Sequence, residues 1–158
     1  MHGIARDTVT FCTDVIEREI NAATDNPLIF ENGEVLSGGN FHGEPIWHVM
    51  DFVSITVSEL AAISERRTFR LLDDKLSGGL PPMLVDQLRD AGLNSGLMMP
   101  QYTAASLVLE NQTLATPDSV HSLPTSGEQE DHNANSLTAS VHASRIIQNT
   151  IRVEVIEL

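Results

Sequence analysis

Between positions 125 and 136 the chain reads TSGEQEDHNANS. Glu128, Gln129, Glu130, Asp131, His132, Asn133 and Asn135 bring carboxylates, amides and an imidazole together. Such a set can move protons, hold a cation or orient a polar substrate. It can also do none of these. Ser126 or Thr125 ahead of acidic residues and a helix is an N-cap signature. Glu128, Glu130 and Asp131 are favoured at the positive end of such a helix. Capping accounts for the carboxylates and leaves the amides Gln129, Asn133 and Asn135 without a local purpose. As metal ligands, Glu128, Asp131 and His132 offer oxygen and nitrogen, but no H-E-x-x-H or similar spacing occurs. His2, His42, His48, His121 and His142 show no ligand pairing either. No metal site is expected.

Two further stretches could carry chemistry. SGGNFHGEP (residues 37–45) has glycines that permit close backbone approach to a ligand, and glycines that simply turn the chain. It contains no phosphate-loop lysine and no G-x-G-x-x-G. SERR (residues 64–67) places arginines in a long apolar helix, where a carboxylate partner is required. Glu65 is too near in sequence to face Arg66 directly, so the partner is expected on another helix or chain, as a structural ion pair. No Ser-His-Asp order, CxxC or reactive-thiol context appears.

The elements that must position these residues are helical. Residues 4–23 carry Ile4, Val9, Cys12, Val15, Ile16, Ile20 and Ala23 near helical spacing. TDNP then stops the helix, because Pro27 disfavours helix at Asn26. Asn32-Gly33 between Leu28–Phe30 and Val35–Leu36 predicts a small hairpin. A long helix is predicted from Pro45 to Leu72, with a broad apolar surface and a basic end (Arg66, Arg67, Arg70) that suits the helix dipole. Residues 76–96 form a Gly/Pro-rich connection, unusual unless it packs on something or carries function. A helix follows over residues 96–114, with Pro100 in its first turns. The last helix is predicted to start near Glu128 or Glu130 and to run to the end, with Leu137, Val141, Ile147, Ile151 and Ile156 on its buried side. The fold class is all-α with one small β excursion.

Composition excludes some functions. The 158 residues are enough for one domain with a core, 41% are apolar and 4% aromatic, so aliphatic side chains must build it. A net charge of −13 argues against non-specific binding to nucleic acid or anionic membranes. No run of about 18 uninterrupted apolar residues occurs, so no membrane span is expected. Cys12 is the single cysteine and reads as a small core residue; this usage fits a reducing cytoplasm. The helices begin and end abruptly, which reads as a chain cut from a longer protein at both ends.

The words TDNPLIF, GEVLSGGNFHGEP, SERR, LSGGLPP, GLNSGLMMPQYTAASLVLEN and SLPTSGEQEDH occur in this order along nearly the whole chain. In them the chain resembles the aromatic amino acid ammonia-lyases, the histidine type above all. The resemblance implies a long-helix bundle of the ammonia-lyase/fumarase type, of which residues 1–158 are a partial domain from the middle-to-C-terminal portion. It implies a cytoplasmic homotetramer with active sites where subunits meet. It implies elimination of ammonia from an L-amino acid, histidine to urocanate in histidine catabolism, by the electrophile 4-methylidene-imidazol-5-one (MIO), made from an internal Ala-Ser-Gly. This chain has Leu36-Ser37-Gly38, Leu76-Ser77-Gly78 and Thr125-Ser126-Gly127 but no Ala-Ser-Gly. The isolated chain is therefore expected to hold no complete catalytic set and to be inactive. By the resemblance, Phe41 lines the substrate and cofactor pocket, and Gln129 and Glu130 lie near the substrate side chain. HNANS after QED departs from the HVSM of many histidine lyases, and LMMPQYTAAS also resembles phenylalanine and tyrosine lyases and 2,3-aminomutases, so those activities are the alternative. A non-catalytic helical assembly subunit is the reading from another class.

Overall fold

The computed structural model describes residues 1–90 and 92–158. Its order is α1 (His2–Ile20), β1 (Leu28–Ile29), β2 (Val35–Leu36), α2 (Glu44–Leu72), α3 (Met98–Leu114) and α4 (Ser136–Glu157), with short 3-10 turns between the later helices. The all-α class with a small hairpin is what the sequence predicts. β1 and β2 pair antiparallel, Leu28 with Leu36 and Ile29 with Val35, around a turn in which Gly33 has φ +84°. α1 ends earlier than predicted. The Asn21 side chain donates to the Glu17 carbonyl at 2.7 Å, and its backbone N–H closes on Arg18, so the C-cap forms before TDNP is reached.

The chain divides into two units, residues 1–56 with 115–144 and residues 57–114 with 145–158. In the first, Trp47 and Met50 of α2 pack with Ala134 and Ala139, and buried Cys12 sets its Sγ 3.4 Å from the Val49 carbonyl. Burial raises the Cys12 thiol above its ordinary pKa, as a core role requires. In the second, Ala61, Ala104, Val108 and Val153 form the core. Beside it Asn149 Nδ2 donates to Asn111 Oδ1 (3.0 Å) and Asn111 Nδ2 to Thr150 Oγ1 (3.2 Å), while Thr150 Oγ1 donates to the Ile146 carbonyl (2.8 Å), so the buried polar set is paired.

The inward seams are built from small and polar residues. On α2 they are Trp47, Asp51, Ser54, Ser58, Ala61, Glu65, Thr68 and Leu72, alternating four and three apart. On α4 they are Ala139, Ala143, Ile146, Thr150 and Val153. Leu137, Val141, Ile147 and Ile151, expected on the buried side of α4, are exposed, Leu137 by 77%; Ile156 alone of that set is partly covered. Small residues let helices approach closely, so the bulky aliphatics at intervening positions are left outside. α2 is long and apolar enough to cross a membrane by length and composition, although Asp51 and Glu59 interrupt its apolar run. Its inward stripe is packed within the fold.

Arg66 differs from expectation. It is 61% exposed and pairs with Glu65 itself, Nη2 to Oε1 at 2.7 Å, while lying 4.8 Å over the Phe69 ring. A guanidinium on a long stem reaches the adjacent carboxylate that backbone spacing alone keeps off its face. The expected cross-helix partner belongs to Arg67, which pairs with Glu157 of α4; Ser64 Oγ donates to the same carboxylate at 2.6 Å. The Arg67 guanidinium holds the Glu157 carboxyl below its ordinary pKa. The connection over residues 76–96 does pack on itself: Leu97 N–H donates to the Met83 carbonyl, and Gly96 lies so close to that carbonyl that a Cβ would collide with it. Ala91 of this connection lies outside the described residues.

Ile146 is fully buried on a seam of small neighbours. Ile146→Ala is expected to lower unfolding free energy by about 2–5 kcal/mol, read as a lower midpoint in chemical denaturation.

Candidate functional site

The polar stretch is positioned by the loop that precedes it. Buried Asp51 of α2 accepts the backbone N–H groups of Asp118 (3.0 Å) and Ser119 (2.9 Å). Asp118 Oδ2 in turn lies 2.8 Å from His142 Nδ1 on α4. These contacts fix the chain just before it reaches Thr125.

At Thr125 the chain does not enter a helix. Thr125 N–H donates to the Glu130 carbonyl (3.0 Å) and Glu130 N–H to the Thr125 carbonyl (3.3 Å). Between them Ser126, Gly127 and Glu128 all have positive φ, at 52°, 64° and 69°. Left-handed backbone closes a tight turn and cannot continue a right-handed helix. α4 therefore begins at Ser136, and its first turn carries no acidic residue. The N-cap role expected of Thr125 or Ser126, and the helix-dipole role of the carboxylates, are both corrected by this geometry. Asn133 gains the purpose that capping could not give it. Its N–H donates to Ser122 Oγ (2.9 Å) and its Nδ2 to Thr125 Oγ1 (2.5 Å), which holds the turn against the following chain.

Facing this turn is the entry to α2. Phe41, 37% exposed, lines a cleft of about 290 Å³ with His42, Gly43, Ile46, Asn40 and Ser136. The Phe41 and His42 rings meet at 4.4 Å between centroids. His42 Nε2 lies 3.8 Å from Glu130 Oε2, with the two side chains 27% and 29% exposed. His132 Nε2 lies 3.3 Å from Glu44 Oε2, and His48 Nδ1 is 3.7 Å from Glu44 Oε1. Ser136 Oγ donates to the His42 carbonyl at 3.0 Å. The structure thus brings Phe41 and Glu130 to one region through His42. Gln129 is exposed and adjoins Glu130 in the chain, and neither of the two is among the cleft residues. Among the described residues no three His, Cys, Asp or Glu side chains gather as a metal site.

His42 and Glu44 have no assigned role in the sequence reading, and His132 is weighed there only as a metal ligand. A signal was present: His42-Gly43-Glu44 and Glu130-Asp131-His132 are mirror-image triplets. Two segments laid side by side in the same direction pair them reciprocally, His42 with Glu130 and Glu44 with His132. The anchors Asp51, Asp118, Ser122 and His142 gave no such signal, because each depends on a contact far away in sequence.

A family model for aromatic amino acid lyases matches residues 1–158. Histidine ammonia-lyase of Treponema denticola is 52% identical over 158 residues, and that of Geobacillus kaustophilus 53%. These alignments cover 99% and 100% of this chain, and the chain spans 31% of the length of each relative. Among solved structures, histidine ammonia-lyase from Trypanosoma cruzi superposes with a TM-score of 0.88 at 42% identity, over 99% of this chain and 31% of that one. Tyrosine aminomutase from Streptomyces globisporus superposes with a TM-score of 0.89 at 40% identity, over 98% of this chain and 29% of that one.

Gly43, with φ +70°, fixes the approach of the two segments. A Cβ there would stand 2.8 Å from Ser136 Oγ. Gly43→Ala is expected to cost about 1–3 kcal/mol in a denaturation midpoint experiment. Gly33→Ala, also at positive φ but with nothing within 4 Å of the new Cβ, is expected to cost less.

Proposed function

The chain belongs to the aromatic amino acid lyase family, and from that premise we propose that it is part of an ammonia-lyase that converts L-histidine to urocanate. The observation that carries the reading is that His42, which lines the cleft with Phe41, faces the Glu130 carboxylate at 3.8 Å. A histidine side chain needs a hydrogen-bond acceptor in an otherwise apolar surround. Glu130 accepts the substrate imidazole N–H, and its charged carboxylate favours a ring with such a donor over a ring without one. Phe41 supplies an apolar face, and the Gln129 amide helps to orient the bound molecule. The identity of about half with histidine ammonia-lyases supports this substrate.

The residues present fit MIO as a wall and not as a source. A half-open aromatic face, an exposed amide and a partly covered carboxylate can line a cavity, whereas none of the four Xaa-Ser-Gly sites is Ala-Ser-Gly. When present, MIO supplies the electrophile. What this chain contributes is binding and orientation by Phe41, Gln129 and Glu130. We assign residues 1–158 to one partial lyase domain on these grounds. The exposed aliphatics of α4 (Leu137, Val141, Ile151, Val155) support assembly with further copies, as in a homotetramer with shared sites.

A second reading, a tyrosine or phenylalanine lyase or 2,3-aminomutase, is favoured by the near-equal likeness to tyrosine aminomutase. Incubating the complete enzyme with histidine, tyrosine and phenylalanine, and resolving unsaturated from β-amino acid products, separates the two. For the histidine reading, Glu130→Ala in the complete enzyme is expected to lower kcat/KM for histidine by roughly 10- to 100-fold, the value of a hydrogen bond to a charged group. Unchanged turnover of histidine would contradict the role of Glu130.

A further inference from the structure

Two segments far apart in sequence meet at the site, and each pairs an imidazole and a glutamate with the other. The segment entering α2 carries His42 and Glu44; the segment leaving the turn carries Glu130 and His132. They exchange partners: His42 faces Glu130 at 3.8 Å, and His132 faces Glu44 at 3.3 Å. The two pairs are not equivalent. His132 and Glu44 are the more exposed, at 59% and 45%, where an ion pair is weak. His42 and Glu130 are more covered, and His42 is further held from both sides. Phe41 packs against its ring, and its carbonyl accepts the Ser136 hydroxyl.

We propose that His42 is a positioning residue for Glu130, with the His132–Glu44 pair closing the outer side of the same clasp. This rests on the reading of Glu130 as part of the substrate wall. A glutamate has three side-chain torsions, and an unrestrained carboxylate at an open cleft samples several rotamers. The His42 ring faces Oε2, which biases the side chain toward one rotamer and leaves Oε1 for the substrate. His42 touches no reacting atom in this scheme. Its effect on catalysis is carried wholly by the carboxylate it orients, as expected of a supporting shell around a binding group.

The test is a double-mutant cycle in the complete enzyme. It is run on whichever of histidine, tyrosine and phenylalanine the wild type turns over fastest. The identity of that amino acid tests the substrate reading; the coupling between His42 and Glu130 tests this inference, and no turnover of any of the three would sink both. His42→Ala is expected to lower kcat/KM about tenfold, a differential interaction of about 1.4 kcal/mol, mainly through KM. In a Glu130→Gln background the same change is expected to alter kcat/KM less than about twofold. His42→Gln, whose amide N–H reaches the Nε2 position, is expected to recover most of the loss, whereas the shorter His42→Asn is not. This second pair keeps the test decisive if His42→Ala fails to fold. Equal losses in the two backgrounds, or equal behaviour of the Gln and Asn variants, would overturn the proposal.

Discussion

Thr125 and Glu130 exchange two backbone hydrogen bonds, and the segment between them turns back where a helix would otherwise begin. The placement of the polar stretch depends on this closure. Positive φ at Ser126 and Glu128 is costly for residues other than glycine, so the turn needs support from outside itself. That support comes from Asn133, which ties Thr125 and Ser122, and from buried Asp51, which receives the chain at Asp118 and Ser119. The result is a carboxylate, Glu130, displayed on a braced loop and faced by His42, the neighbour of Phe41, at the entry to a long helix. Function commonly sits on loops held by rigid elements in this way.

The helices make that bracing possible through their seams. Ser54, Ser58, Ala61 and Thr68 on α2, and Ala139, Ala143 and Thr150 on α4, occupy alternating four-and-three positions. Short side chains there permit close approach, and Asn111, Asn149 and Thr150 are buried beside them with hydrogen-bond partners. The large aliphatics are displaced to the outer faces of the helices. A single architectural choice thus produces both narrow internal seams and broad apolar exteriors of the kind that a multi-chain assembly covers.

Sequence revealed the existence and type of the main helices, the Asn32-Gly33 hairpin, the core role of Cys12 and the family. It was legible there because those features rest on local signals: periodicity, a turn dipeptide, contiguous motif words. It misplaced the start of α4, because the acidic run mimics a helix N-terminus and the left-handed turn is held by Asn133 contacts that helical periodicity does not encode. It inverted the buried face of α4, because size was taken as the mark of burial where closeness of packing favoured alanine. It assigned Arg66 to a remote partner because helical spacing describes Cβ positions and not the reach of a guanidinium. At the site, Phe41, Gln129 and Glu130 were nominated through motif words, while the clasp that supports Glu130 was written as His-x-Glu and Glu-x-His and passed unread.

The central claim is that Glu130, held on this loop, contacts the substrate side chain. The most direct measurement is a crystal structure of the complete enzyme with a non-reactive histidine analogue bound. The account predicts an imidazole nitrogen of the ligand within about 3 Å of a Glu130 oxygen, the ring against Phe41 and His42 still facing the same carboxylate. A ligand whose imidazole is satisfied by other groups, with Glu130 turned to solvent, would contradict it.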